Sequence, residues 1–159
     1  MNNIFILPLT NSDELCLIDL EDKEKVLYYK CWRLDNSGYV VTDGYGRFGF
    51  TILLHNLIMD DKGIDHKDRN KLNNIKSNLR KATKSQNQAN CEKYITNTSG
   101  YKGVSKARKR FKARIMFKYK EIHLGVFETK EEAALAYNKK ALELFGEFAL
   151  LNNLAISQA

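Results

Sequence analysis

Residues 64–90 read IDHKDRNKLNNIKSNLRKATKSQNQAN. Asp65 and His66 stand together at the head of the stretch, Asn78 follows after eleven intervening residues, and Asn87 after eight more. Apolar residues recur here with almost no period, so the segment does not build a core by itself. Its ends still predict structure. Gly63–Asp68 reads as a short strand entering a turn, Leu79–Thr83 as a second short strand, and Ser85–Lys93 as a helix with Thr83 or Lys84 near its cap. Between the strands lies a polar loop of about a dozen residues, long for a compact domain and therefore a functional candidate. Taken singly, each polar residue is an ordinary turn- or loop-former. Together they supply one imidazole, one carboxylate and several carboxamides, set among Lys67, Arg69, Lys71, Lys76, Arg80 and Lys81. A base that titrates near neutrality, oxygen donors for a cation and charge that attracts phosphate are what phosphodiester hydrolysis requires.

The charge pattern widens that reading. The 159 residues carry a net charge of +7, unevenly spread. Residues 1–61 hold 5 basic and 10 acidic side chains, a balance of −5. Residues 62–120 hold 18 against 3, a balance of +15, and residues 121–159 hold 3 against 6, a balance of −3. A cationic middle third fits a polyanionic partner, and nucleic acid is the usual one. A membrane surface fits poorly, because no apolar run is long enough to span and the basic run is not laid on a helix with an apolar face. MNNIFILPLT lacks a basic n-region and a small-residue cleavage site, so no secretory signal is expected. Cys16, Cys31 and Cys91 are scattered without a CxxC, which suits a reducing compartment and argues against a zinc framework. These features together predict a cytoplasmic protein.

Upstream, residues 1–50 read as a strand-rich lobe. IFILPL and LCLID are apolar enough for strands, and EDKEKVLYYK reads as a short amphipathic helix using Val26, Leu27, Tyr28 and Tyr29. WRLDNSGYVVT is a hairpin signal around Asn36-Ser37-Gly38, and GYGRFGFTILL continues the meander with a turn at Gly44–Gly46. LLHNLIM has helical character, with Leu54, Leu57 and Ile58 on one face; His55 within it reads as a packed, structural histidine.

Downstream, YITNTSG at 94–100 reads as a polar linker. YKGVSKA then predicts a short strand, and FKARIMF alternates, with Phe111, Ala113, Ile115 and Phe117 on one face. KEIHLGVF predicts a third strand. TKEEAALAYNKKALELFG is the clearest helix: Thr129 and Glu132 form a capping box, Ala133, Ala136, Tyr137, Ala141, Leu144 and Phe145 the apolar stripe, and Gly146 the stop. Three antiparallel strands with one helix across them leave one sheet face open. That face is expected to carry Lys112 and Arg114, with Lys106, Arg108 and Arg110 just before them and His123 on the next strand. A solvated polar face is ordinary for such a sheet. An all-cationic face without compensating acids points instead to duplex DNA, since a sheet of this width enters the major groove and Arg reads guanine there.

Two resemblances follow from these residues. Asp65-His66, Asn78 and Asn87, in the setting NNIKSNLRKATKSQNQAN, resemble the HNH endonucleases of the phage and group I intron homing type, and residues 7–41 and LLHNLIM resemble the N-terminal portion of such proteins. SGYKGVSKARKRFKARIMFKYKEIHLGVFETKEEAALAYNKKALELFG resembles the AP2/ERF DNA-binding domain nearly end to end. The resemblances imply an α+β chain: an HNH endonuclease domain at 1–93, made of a strand-rich lobe at 1–59 and a ββα-metal motif at 60–93, then the linker, then an AP2-like module at 101–154. They imply His66 as general base, Asp65 and Asn87 as ligands of a divalent ion, Mg²⁺ ahead of Mn²⁺, and Asn78 as the residue that orients the histidine or braces the loop. Many HNH enzymes have His where this chain has Asn87. The implied function is a metal-dependent endonuclease acting on double-stranded DNA at a preferred site, as a monomer or weak dimer, in a bacterial or phage-infected cell.

Two other functions compete with it. A catalytically silent DNA-binding regulator would not need the intact Asp65, His66, Asn78 and Asn87 set. An RNA-binding sheet would carry paired exposed aromatics for stacking bases, which these strands lack.

Overall fold

One hairpin and a small three-stranded sheet precede the Asp65-His66 strand. The computed structural model describes residues 3–44, 49–93 and 95–154, so the turn expected at Gly44–Gly46 lies partly outside the described residues. The chain divides into two compact units, Met1–Ala82 and Thr83–Ala159.

In the first unit, β1 (Ile4–Leu9) and β2 (Ser12–Asp19) form an antiparallel hairpin that buries Leu7, Cys16 and Ile18. The helix α1 (Lys23–Leu27) buries Val26, whose carbonyl accepts a hydrogen bond from Trp32 Nε1 at 3.0 Å. It ends before the tyrosines expected within it. Tyr28 is exposed, and Tyr29 packs edge-on against Trp32. The next hairpin pairs β3 (Arg33–Leu34) with β4 (Val40–Asp43). Its turn is set by Asp35, whose Oδ1 accepts from the backbone N–H groups of Ser37 and Tyr39, while Gly38 takes φ 78. Asp and Gly are suited to these two jobs, a local carboxylate acceptor and a left-handed backbone. β5 (Thr51–Leu53) completes a three-stranded sheet and runs straight into α2 (Leu54–Met59), which buries Leu54, His55 and Ile58.

The opening stretch then forms β6 (Ile64–His66), antiparallel to β7 (Leu79–Lys81), with His66 opposite Leu79 and Asp65 opposite Arg80. The loop between them is pinned along β2. Leu17 donates to the Leu72 carbonyl and accepts from the Asn74 N–H, both at 2.8 Å, and the Lys76 N–H donates to Asp19 Oδ2 at 2.7 Å. Leu7, Ile18, Leu54, Ile58, Ile64 and Leu79 close one core beneath both.

The second unit begins with α3 (Lys84–Asn90). Thr83 caps it through a capping box with Gln86, and the helix stops at Asn90 because Cys91 is extended. Ala89 belongs to the core of this unit, and Lys102 Nζ reaches the carbonyls of Gln88, Ala89 and Cys91 at 3.2, 2.5 and 2.6 Å. An ammonium at a helix C-terminus meets the negative end of the helix dipole. Within the segment expected as a linker, Ser99 is buried, and its hydroxyl donates to the Val104 carbonyl at 2.8 Å. Asn97 Oδ1 accepts from the Gly100 N–H.

β8 (Val104–Ala107), β9 (Arg110–Phe117) and β10 (Lys120–Phe127) make an antiparallel sheet with β9 central. α4 (Lys130–Phe145), with the Thr129–Glu132 capping box, covers one face. Its buried side chains are Ala133, Ala134, Tyr137, Ala141 and Phe145; Ala136 and Leu144 of the expected stripe are half-buried. Small residues at 133 and 134 let the helix backbone approach Val104 and Ala113 closely. No helix among the described residues is long and apolar enough to cross a membrane.

Candidate active site

His66 closes β6 with its ring enclosed, only 4% exposed. Its Nε2 lies 3.1 Å from Asn74 Oδ1. The His55 ring, presented by α2, meets it edge-on with centroids 5.0 Å apart, and Tyr39 lies tilted against both imidazoles. Lys71 Nζ sits 4.2 Å above the Tyr39 ring and donates to the Ser37 carbonyl. Burial pushes both histidines below their usual range. His55 falls to about 4, driven by burial and then by His66. His66 is lowered chiefly by burial, against the opposing pull of Asn74, Asp68 and Asp65. Both rings are therefore neutral at pH 7, and a neutral imidazole can accept a proton.

Asp65 precedes His66 and is equally enclosed. Its Oδ2 accepts from Arg80 Nε and faces Arg80 Nη2, both at 3.0 Å. A buried carboxylate needs such a partner, because leaving it unpaired would cost several kcal/mol.

Asn78, at the far end of the loop, makes a two-way bond with Asp68. Its Oδ1 accepts from the Asp68 N–H at 3.1 Å, and its Nδ2 donates to Asp68 Oδ1 at 2.9 Å and to the Asn73 carbonyl at 2.7 Å. The Asp68 carboxylate also takes hydrogen bonds from the Asn70 N–H and Asn73 Nδ2. Burial opposes its ionisation, yet the bonds from Asn73, Asn70 and Asn78, with His66 nearby, hold its carboxyl below the usual range. The Asn78 carboxamide thus bonds within the loop, and the Asn74 carboxamide lies against His66.

Residues 58–89, from the end of α2 into α3, match the HNH endonuclease family. The chain is also similar to an uncharacterized HNH endonuclease of Acanthamoeba polyphaga mimivirus, 38% identical over 139 residues that cover 84% of this chain and 72% of that protein. The chain belongs to the HNH endonuclease family. It is a nuclease, a hydrolase of phosphodiester bonds.

The other site candidates of this HNH endonuclease are distributed over both units. Asn87 is half-buried on α3 in the second unit, where its N–H donates to the Thr83 carbonyl. Of the loop cations, Lys67 donates to the Ser77 carbonyl at 2.7 Å and Arg69 is exposed at φ 66. Lys76 bridges Glu21 and Asp22 at 2.6 and 2.9 Å, which raises its pKa, and Lys81 pairs with Asp61. Arg80 is folded inward onto Asp65, with only 10% of its side chain exposed. Its signal was an Asp and an Arg on adjacent short strands, which reads as a buried pair only once the register is known.

On the C-terminal sheet, Arg114 and His123 are directly opposite each other and exposed, with Lys112 beside them. The open face is not all-cationic. Glu121 pairs with Arg114 at 2.9 Å and faces Lys112 at 3.9 Å, and Glu128 pairs with Arg110 at 2.6 Å. Lys106 lies opposite Phe111 and so belongs by register to the helix-covered side, at the sheet edge. Arg108 sits at the exposed β8–β9 turn with φ 57.

The enclosed imidazoles have a consequence for stability. His55 has its folded pKa depressed from 6.5 to about 4, so the unfolded chain binds its proton more readily. The stabilisation is complete above pH 6.5 and drains away as pH falls towards 4, a loss of about 3 kcal/mol for this residue. Melting temperature should therefore hold between pH 7 and 8 and drop steadily below 6.5. His55→Gln should flatten that acid limb; an unchanged limb would mean that other groups cause it.

Proposed function

We propose that this HNH endonuclease is a metal-dependent, site-preferring DNA endonuclease of the homing type, cutting with the His66 centre and positioned on duplex DNA by an AP2/ERF-like C-terminal module. The observation that carries the proposal is a neutral, enclosed His66 directly after a carboxylate and held at Nε2 by a carboxamide. An imidazole so held offers its Nδ1 lone pair to a water. The water's proton moves to that nitrogen, its oxygen attacks phosphorus, and the bond to the leaving oxygen breaks. Asp68 and Asp65, which favour the protonated ring, stabilise the imidazolium formed.

Asp65 and Asn87 are the donors assigned to a divalent ion by resemblance. Their oxygens are hard donors that suit Mg²⁺ or Mn²⁺ better than Zn²⁺. Among the described residues no cluster of three His, Cys, Asp or Glu side chains forms a cage for an ion. Mg²⁺ is commonly held by one or two protein ligands and completed by substrate phosphate and water. When bound, the ion supplies positive charge against the charge developing on phosphate. Asn78 keeps the loop in shape around this centre.

Delivery to DNA rests on the exposed Arg114 and His123 and the half-buried Lys112 of the open face, with Arg108 and Arg110 beside them. Glu121 and Glu128 pair with Arg114 and Arg110, and exposed pairs of this kind are weak enough to exchange for phosphate.

A plasmid-nicking series tests the function. Wild-type protein should relax supercoiled DNA with Mg²⁺ or Mn²⁺ and leave it intact in EDTA. In parallel, Lys112→Ala/Arg114→Ala should weaken duplex binding and reduce the slope of log affinity against log salt by about 2. Nicking that persists in EDTA would remove the metal from the mechanism, and an unchanged slope would remove this face from DNA binding.

A further inference from the structure

The resemblance offers one asparagine, Asn78, for two jobs: orienting the histidine or bracing the loop. The geometry separates them. Asn78 spends its carboxamide on Asp68 and the Asn73 carbonyl. We propose that Asn74 is the positioning residue of this nuclease, fixing both the ring orientation and the tautomer of His66 so that Nδ1, and not Nε2, is the basic nitrogen. The proposal deepens the functional reading and rests on His66 being the general base.

Four observations support it. Asn74 is fully buried, 0% exposed, in a loop otherwise rich in exposed polar residues. Its backbone N–H is fixed to the Leu17 carbonyl of β2 at 2.8 Å, so the residue cannot drift with the loop. Its Nδ2 donates to the Lys71 carbonyl at 3.0 Å and approaches Cys16 Sγ at 3.7 Å. A backbone carbonyl only accepts, so the amide nitrogen must face Lys71 and the amide oxygen must face His66. That oxygen lies 3.1 Å from Nε2 and can only accept, which requires the proton on Nε2. In the neutral ring the lone pair then belongs to Nδ1. The Cys16 thiol beside the amide is pushed up to about 12 by burial, so it stays protonated and adds no competing charge.

The direction of transmission follows from the fold. β2 fixes the Asn74 backbone, the Lys71 carbonyl fixes its amide, and the amide fixes the ring. The partner that sets a histidine's tautomer is worth more than its hydrogen bond alone, because the wrong tautomer presents an N–H where a lone pair is needed.

Two variants test this. Asn74→Leu keeps the branched shape, though with bulkier methyl groups, and removes both the acceptor and the donor. Asn74→Asp keeps an acceptor towards Nε2, loses the Nδ2 contacts with the Lys71 carbonyl and Cys16, and adds a carboxylate charge that strengthens the bond from Nε2–H. In ¹⁵N spectra of histidine-labelled protein, wild type and Asn74→Asp should show His66 protonated on Nε2, and Asn74→Leu a mixture of tautomers. Single-turnover cleavage at saturating protein should fall about 10- to 100-fold in Asn74→Leu, recover largely in Asn74→Asp, and leave duplex affinity unchanged in both. A purely structural Asn74 would lower both rates in step with melting temperature and leave the tautomer alone, which would overturn the proposal. So would an Asn74→Leu variant with wild-type rate and spectrum. If His66→Gln cut at the wild-type rate, the base reading would fall, while the tautomer spectra would still decide what Asn74 does to the ring.

Discussion

Gly103→Ala should cost the C-terminal unit about 3 kcal/mol or more and lower its melting temperature by roughly 10 °C or more. A Cβ at Gly103 would stand 2.1 and 2.3 Å from Tyr137 Cδ2 and Cε2, and 2.7 Å from the Arg114 carbonyl oxygen. Neither neighbour can give way cheaply. Tyr137 is 4% exposed in the cluster of Ile115, Ala141 and Phe145, and Arg114 lies on the central strand β9. The Gly103 carbonyl also accepts from the Arg114 N–H at 2.9 Å, so the two backbones are tied at the point of the clash. Gly103 further adopts φ 75, where any side chain is strained. Gly100 separates the two effects. It has φ 85 but nothing within 4 Å of an added Cβ, so Gly100→Ala should show only the backbone penalty of about 1 kcal/mol. Thermal melts of the two variants beside wild type decide the matter; equal melting of Gly103→Ala and Gly100→Ala would show that the clash is relieved elsewhere.

That glycine marks where the sequence stops being legible. FKARIMF alternates visibly, TKEEAALAYNKKALELF carries its own cap and stripe, and both appear as β9 and α4 with nearly the expected limits. These signals are local: a period and a capping box. The Gly103–Tyr137 approach joins residues far apart in the chain, and nothing in YKGV alone reveals it. The same division runs through the site. The Asp65-His66 strand and the strand after the loop can be read from apolar residues flanked by turn formers. Asn74 cannot be told from Asn70 or Asn73 in RNKLNN, because its inward turn is decided by hydrogen bonds to β2, more than fifty positions upstream. Reading Arg80 as a phosphate-binding cation misses its pairing with Asp65, since strand register alone brings them together. Likewise, Glu121 and Glu128 lie just beyond the basic block in the sequence, and pairing of β9 with β10 folds them back against it. His55 reads correctly as a packed histidine, but its place against His66 depends on how α2 meets β6.

The largest functional effect should come from His66→Gln. Glutamine keeps a polar, uncharged side chain of similar length and can still bond to Asn74, so the β6–β7 frame and the loop should survive. What it removes is the lone pair that accepts the water's proton. General-base catalysis typically contributes a factor of about 10² to 10⁴, and cleavage should slow by that range. DNA affinity should stay near wild type. His66 is enclosed and neutral, and the cations expected to hold phosphate lie elsewhere, on the loop surface and the C-terminal sheet. Binding and chemistry should thus separate cleanly in one variant.

The most direct measurement is single-turnover cleavage of an end-labelled duplex in Mg²⁺, with wild type and His66→Gln each at saturating protein and with occupancy measured on the same samples. Equal occupancy is expected, with a cleavage rate about 10² to 10⁴ lower in the variant. Equal occupancy with an equal rate would contradict it, and would move the catalytic centre of this nuclease away from His66.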